Sequence, residues 1–590
     1  MNQVRPYSLL ILLLLLSFVE AVAQISTAKI SPSLLLDTEH GASVECIVEF
    51  NGKPDLSDLP AIHGKTAKGR AVFQRLQRLA DSQQQEVRQI LDRAAHPYRS
   101  FFVANAIYLE ADRQLLQQLA GRPEVSRIQP NPWSKVLERQ PNVPAMASAR
   151  SPIDWGLEKI HVPEVWAQGI NGTGVVIGGQ DTGVEWTHPT LKEKYRGWQG
   201  NQSDAQHIYN WFDAITSINP LNGDSTIAPS NNPCGLSVNF PCDDNNHGTY
   251  TMGISVGDDG QGNQIGVAPG AQWIACRNME RGYGSPATYL ACFEWFLAPT
   301  DLDGNDPKPE LAPHVINNSW GCPTFEGCTI DNWGILETAV ENLRAAGVVV
   351  IVSAGNDGPD CGSVNDPSAI FQGAFAVGAT NSTDTLANFS SRGPVTVDGS
   401  GRIKPDVVAP GVTIRSARRN NAFAVSSGTS AAGPFVVGVV ALMIEANPQL
   451  AGEVELIEQI LRETTVSAYD RYSCGGYSTE DVPNPMTGYG RIDALAAVEK
   501  AMQVSPIEET LLPSTIKVYP NPSHGEFRFV LENVLDNAYL EVFDATGKKV
   551  TELVILELTS TVDLTGQPAG LYYWRLRSGG QQASGKIVKR

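Results

Sequence analysis

From about Asp154 to Val498, short and wholly apolar runs alternate with stretches of helical periodicity. This alternation confines the region to a parallel β-sheet with crossover helices on both faces, because strands buried on both sides read as continuous apolar runs. Val175-Val176-Ile177, Trp273-Ile274-Ala275, Val315-Ile316 and Val348 to Val352 are the clearest strands. Ala431 to Ala446 is apolar on nearly every side, which predicts a helix through the middle of the domain rather than a membrane span.

The flanking regions follow other patterns. Arg5 precedes an apolar run from Leu9 to Phe18, and Ala21-Val22-Ala23 supplies a small-x-small cleavage pattern, so residues 1–23 read as an export signal. Residues 24–150 form a small α+β unit. It has a strand from Ser43 to Phe50, a helix from about Arg70 to Ala95, a second strand from Phe101 to Leu109, a short helix from Arg113 to Ala120 and a closing strand from Val125 to Ile128. Gln140 to Pro152, rich in proline and small residues, reads as a linker whose cleavage frees the α/β domain at 151–505. In residues 506–590 two prolines in Tyr519-Pro520-Asn521-Pro522 forbid helix. Strand-like runs follow at Glu526 to Leu531, Ala538 to Phe543, Lys549 to Val554, Thr559 to Leu564 and Gly570 to Leu576, predicting a small β-sandwich.

Charge and cysteine content narrow the function classes. With 63 acidic against 44 basic residues the chain carries −19, which repels nucleic acid and anionic lipid. Export permits disulfides, and Cys234/Cys242 and Cys322/Cys328 are close pairs in loops without the spacing of a zinc set. Cys46 stands alone in the N-terminal unit, and the pairing of Cys276, Cys292, Cys361 and Cys474 is open.

Three segments place a reactive side chain where a strand or loop meets a helix. Gly178-Gly179-Gln180-Asp181-Thr182-Gly183 ends a buried strand, where ligand crevices of open α/β sheets lie. His247-Gly248-Thr249 starts a helix, and Ser427-Gly428-Thr429-Ser430 heads the apolar one. Acyl transfer needs a nucleophile, a base and a carboxylate that fixes the base in one tautomer, roles that Ser430, His247 and Asp181 are able to fill. Ser353-Ala354-Gly355-Asn356, after the strongest strand, offers the Asn356 amide to a developing oxyanion, and the Ser430 backbone N–H is the second candidate donor.

Competing readings attach to each segment. Asp-Thr-Gly also marks aspartic proteases, but their paired carboxylates require a second such segment, which this chain lacks. Gly253-Ile254-Ser255-Val256-Gly257 matches G-x-S-x-G, yet it follows His247 rather than forming a strand-to-helix elbow. Ser430 also suits an N-cap, and Gly355-Asn356-Asp357-Gly358 an ordinary turn. Asp301 to Asp306 has a calcium-loop flavour, but Ala312 stands where the closing glutamate belongs, so the loop reads as a solvated acidic one.

Taken in order, these segments resemble those of the subtilisin-like serine proteases from Trp155 to Val498. Gly266-Val267-Ala268-Pro269-Gly270, Asn317-Asn318-Ser319-Trp320-Gly321 and Asn388-Phe389-Ser390-Ser391-Arg392-Gly393-Pro394 extend the likeness. The resemblance implies an endopeptidase of protein or peptide substrates, with Asp181, His247 and Ser430 as triad and Asn356 as oxyanion side chain. It further implies that Ser319-Trp320-Gly321 and Ser353-Ala354-Gly355 bind substrate as an added β-strand.

Tyr250 and Ala431 depart from common family residues at positions that carry no required proton. No cofactor is implied for the chemistry. A structural calcium has no assigned place, since Thr190 stands where the family has an acidic ligand, and the resemblance implies no metal-ligating residue. The N-terminal unit resembles the family's inhibitory propeptides, which implies a zymogen inhibited by its own propeptide.

Tyr519-Pro520-Asn521-Pro522, Phe543-Asp544-Ala545-Thr546-Gly547, Leu571-Tyr572-Tyr573 and the basic end resemble the sorting domain of type IX secretion. That machinery becomes a partner, and the mature protein is expected outside the cell or on its surface with no membrane span. The rival class is a catalytically inactive surface or adhesion protein built on the same fold. Primary specificity is divided: Asp357 with Asn365 or Asp366 favours a basic or polar residue before the scissile bond, while Trp320 suggests an apolar wall.

Overall fold

The computed structural model describes residues 28–590 apart from 60–61, 136–152, 225, 229, 323–325, 330–331, 505–509, 512–515, 532–537, 545–547, 556 and 579–580. The export signal at 1–23, the linker from Gln140 to Pro152 and the boundary at Pro506 lie outside the described residues. The chain divides into two compact units, Met1–Val504 and Ser505–Arg590.

The first unit opens with an antiparallel sheet of β1 (Val44–Phe50), β2 (Tyr98–Phe101), β3 (Ala106–Ala111) and β4 (Val125–Pro130), in the order β2-β3-β1-β4. Helix α1 (Lys65–Arg93) buries Val72, Leu76, Ala80, Val87 and Leu91, spaced by four or seven residues as one helical face requires, with Phe73 beside them. It begins five positions before the sequence-based start at Arg70. Helix α2 (Arg113–Ala120) is capped by the Asp112 carboxylate, which accepts the Leu115 amide. The expected single strand from Phe101 to Leu109 is instead a hairpin, because Asn105 adopts a positive φ of 49° and reverses the chain.

The α/β part follows. A two-residue strand, β5 (Ser134–Lys135), precedes β6 (Val176–Asp181), β7 (Trp211–Asp213), α3 (His247–Val256) and β8 (Gln272–Arg277). Next come β9 (Met279–Glu280), β10 (Tyr283–Gly284), α4 (Pro286–Leu297), β11 (Val315–Asn318), α5 (Gly334–Ala345), β12 (Val349–Ser353), β13 (Phe375–Thr380) and β14 (Val407–Pro410). A hairpin of β15 (Ile414–Arg418) and β16 (Ala422–Ser426) leads into α6 (Thr429–Ala446). Seven strands form one parallel sheet in the order β14-β13-β12-β11-β6-β8-β7.

Both faces are covered, and the side-chain alternation shows it. Val349 and Ile351 of β12 join the core built by α6, while Val350 and Val352 join the core built by α4 and α5. Helix α6 is long and apolar enough to cross a membrane, yet 89% of it is buried inside the domain. Val72, Phe73, Phe101 and Val103 of the N-terminal part pack into the same core as Phe293, Leu336 and Val340, so that part lies on the α4/α5 face. The strand order reverses between β6 and β11, which puts a switch-point crevice at the carboxyl ends of those neighbours.

The second unit carries a five-stranded and a three-stranded sheet. Phe527 and Phe529 from the smaller sheet meet Leu540, Val542, Trp574 and Leu576 from the larger in one core, a small β-sandwich. A final strand, Gln581–Lys589, pairs antiparallel with Gly570–Ser578; its low apolar content hid it from the sequence pattern.

Candidate active site

Asp181 is the last residue of β6, beside the switch point, and is buried. The His247 Nδ1 lies 2.8 Å from each Asp181 carboxylate oxygen. The Thr182 amide donates to Asp181 Oδ1 at 2.7 Å, and the Thr251 hydroxyl lies 3.5 Å from Oδ2. A carboxylate accepts only, so Nδ1 carries the proton and the neutral ring presents Nε2 as acceptor.

His247 starts α3, and its approach to β6 depends on a glycine: a Cβ at Gly248 would sit 2.0 Å from the Gly183 carbonyl oxygen. Asp243 orders the turn before it. One oxygen accepts the Asn245 and Asn246 amides and the Thr182 hydroxyl, each at 2.9 Å, and the other accepts the Thr249 amide and hydroxyl. Burial pushes the Asp243 carboxyl up, and these hydrogen bonds oppose the shift. Sequence reasoning passed over Asp243; an acidic residue four positions before His-Gly-Thr, in a loop of asparagines, was the available signal.

Ser430 is the second residue of α6, not its cap, which is Gly428 without a side-chain capping bond. The N-cap alternative is therefore set aside. Its Oγ is buried and has no hydrogen-bond partner among the described residues. Asn356 reaches across the fold: its Oδ1 accepts the Thr429 amide at 2.9 Å and the Thr429 hydroxyl at 3.0 Å. That long-range pairing replaces the local turn reading and orients the amide so that Nδ2 is the donor beside Ser430. The Ser430 N–H belongs to the first turn, where helices leave amides without intrahelical acceptors.

Ser319 is tied beneath the serine: its hydroxyl donates to the Ser430 carbonyl at 3.4 Å and receives Asn317 Nδ2 at 2.9 Å and Ser353 Oγ at 3.3 Å. Trp320 turns inward, 2% exposed and stacked on Tyr289 at 3.8 Å between centroids. The expected apolar wall is thus corrected, because the Trp320 side chain is taken up in the core. Gly355 has φ +102° and its carbonyl accepts the Ser391 amide at 3.0 Å, while the Ala354 amide bonds Val377 in the sheet.

A further strip was missed. β10 pairs antiparallel with β5 of the N-terminal part, Tyr283 opposite Lys135 and Gly284 opposite Ser134, so Tyr283 and Gly284 accept an added strand.

Tyr250 donates its hydroxyl to the Ile414 carbonyl at 2.8 Å, and burial pushes it far above the usual phenol range, so it stays neutral. Thr190 is buried, with its hydroxyl 2.8 Å from His188 Nδ1 and its carbonyl accepting the Asp258 amide. Both Thr190 oxygens are already engaged in hydrogen bonds, and among the described residues no cluster of metal-ligating side chains occurs. Both expected disulfides, Cys234–Cys242 and Cys322–Cys328, are present, joined by Cys276–Cys292 and Cys361–Cys474, while Cys46 is free and buried.

Residues 172–490 match the Subtilase family, and residues 517–590 match the Secretion system C-terminal sorting domain. Bacillopeptidase F of Bacillus subtilis (strain 168) is 36% identical over 459 residues, covering 75% of this chain but 29% of its own length. M-protease of Shouchella clausii (strain KSM-K16) is 28% identical over 326 residues, 55% of this chain and 67% of that protein. Subtilisin Savinase of Lederbergia lenta is 29% identical over 297 residues, 50% of this chain and 86% of the relative.

Proposed function

Because this chain belongs to the subtilase family, we propose that it is a secreted serine endopeptidase that cleaves peptide bonds through an acyl-enzyme on Ser430. The observation that carries the reading is the Asp181–His247 pair at the end of β6, close enough to fix the imidazole tautomer. His247 Nε2 takes the Ser430 proton as Oγ attacks the carbonyl carbon. Asn356 Nδ2 and the Ser430 N–H bind the oxyanion, and the imidazolium then protonates the leaving amine. Water, deprotonated by the same imidazole, releases the acid.

In this reading residues 24–150 are a propeptide. Support comes from β5 lying along β10 as a substrate strand would, and from the packing of α1 and the β2–β3 turn on α4 and α5. Residues 506–590 are the sorting domain that hands the protein to a type IX secretion system, outside the cell or onto its surface.

A fluorophosphonate probe tests the proposal on the secreted protein. The tag is expected on Ser430, and Ser430→Ala is expected to accumulate precursor uncut between Gln140 and Pro152. A folded, processed protein that takes no tag would refute the enzyme; normal processing of Ser430→Ala would refute self-cleavage.

A further inference from the structure

Asp366 is 2% exposed, and neither of its carboxylate oxygens has a hydrogen-bond partner among the described residues. The buried Oδ1 of Asn365 and Oγ of Ser368 are also without partners there. Other buried carboxylates of this domain are saturated: Asp243 by its five hydrogen bonds, Asp406 by Lys404 and Arg462, Asp213 by Arg277. An unpaired buried carboxylate is costly, and here like charges add to the cost. Burial first, then Asp357 and Glu326, push the Asp366 carboxyl up to about 7.

Its position is set by the loop after β12. That loop presents Asn356 to Thr429 beside Ser430, continues through Asp357, and is held by Cys361–Cys474 and by the Val364 amide on the Arg392 carbonyl. Asp366 thereby lies within electrostatic reach of Asp357, the residue after Asn356, and of Glu326, on the segment after Gly321. Glu326 accepts the amide of Lys135, the residue paired with Tyr283. The carboxyl group thus neighbours residues that continue both candidate substrate strips, Asp357 after Ser353-Ala354-Gly355 and Glu326 after Ser319-Trp320-Gly321.

We propose that Asp366 is the specificity-determining residue for the side chain before the scissile bond and that the enzyme takes lysine or arginine there. An ammonium or guanidinium group supplies the donors that Asp366, Asn365 and Ser368 lack and offsets the like-charge repulsion among the neighbouring carboxylates. The inward stacking of Trp320 on Tyr289 removes the competing case for an apolar pocket wall. The inference rests on the endopeptidase reading above.

The test uses processed enzyme and fluorogenic tetrapeptides that differ only in arginine, lysine, leucine or glutamate before the cleaved bond. Arginine and lysine substrates are expected to exceed leucine in kcat/KM by at least about 100-fold. Asp366→Asn is expected to shrink the arginine-to-leucine ratio by about 100-fold. A ratio taken within one preparation is insensitive to any misfolded fraction. Preference for leucine by enzyme that labels on Ser430, or an unchanged ratio in Asp366→Asn, would overturn the inference alone. Protein that neither labels nor cleaves any of the four would overturn the endopeptidase reading and this one with it.

Discussion

Asp181→Asn is the substitution whose consequence is most tightly fixed by the hydrogen bonds around it. Asp181 Oδ1 accepts the Thr182 amide at 2.7 Å, so in the variant that position must be the carbonyl oxygen. The new NH2 group then takes the place of Oδ2, 2.8 Å from His247 Nδ1, and the Thr251 hydroxyl tolerates it as an acceptor. Nδ1 then faces the NH2 donor as well as the Oδ1 carbonyl, and the tautomer that removes the donor–donor contact carries the proton on Nε2 instead. A protonated Nε2 accepts nothing from Ser430, so the base is lost while volume and packing are kept. The loss expected for a wrong tautomer is about 10⁴-fold in kcat/KM, or about 5 kcal/mol of transition-state stabilisation. Peptide hydrolysis and the rate of fluorophosphonate labelling should fall together, because both need Ser430 deprotonated. A folded variant that loses less than about tenfold would refute the assignment of His247 as base and Asp181 as its orienting partner.

Three other substitutions probe separate parts of the assembly. Asn356→Ala should lower kcat by about 10² to 10³ with little change in KM, because the amide acts on charge that develops only in the transition state; steady-state kinetics check it, and an equal rise in KM would argue for ground-state binding. Glu294 accepts the Phe102 and Val103 amides of the N-terminal part, and burial pushes it up to about 7 from an ordinary 4.5, so docking should be strongest below 4.5 and weaken as pH rises through 7. Glu294→Gln should flatten that dependence, read as the fraction of cleaved propeptide still bound between pH 4.5 and 7. Replacing both Cys361 and Cys474 by serine opens a link across a sequence separation of 113 residues and should cost about 2–5 kcal/mol, seen as a lower Tm.

The parallel sheet and the segments of the candidate site were legible because their signals are contiguous. A buried strand ends at the Asp of Asp-Thr-Gly, a helix begins at His-Gly-Thr, and an apolar helix begins at Thr429-Ser430. Tyr283-Gly284 was not legible, since a two-residue strand has no period and its partner β5 lies in another part of the chain. Cys276–Cys292 and Cys361–Cys474 were open because spacing alone does not rank distant pairs. The Trp320 side chain was misread although parity held the answer. Ile316 packs toward α4, and Trp320, an even number of positions later along the same extended segment, falls on that face against Tyr289 and Phe293.

The sequence after Ser430 also explains how the nucleophile and a substrate strip are joined. In a regular helix the Ser430 carbonyl would accept the N–H of residue 434. Residue 434 is proline, which has none, so the carbonyl is left without its intrahelical donor. The Ser319 hydroxyl supplies a donor at 3.4 Å, and Ser319 is itself braced by Asn317 and Ser353 at the ends of β11 and β12. A proline that would weaken an isolated helix instead opens an acceptor through which two central strands hold the first turn of α6. The same turn is tied from the other side by Asn356 on Thr429. Ser430 is thus positioned by both candidate ligand-binding segments, and a shift in either one is felt at the nucleophile.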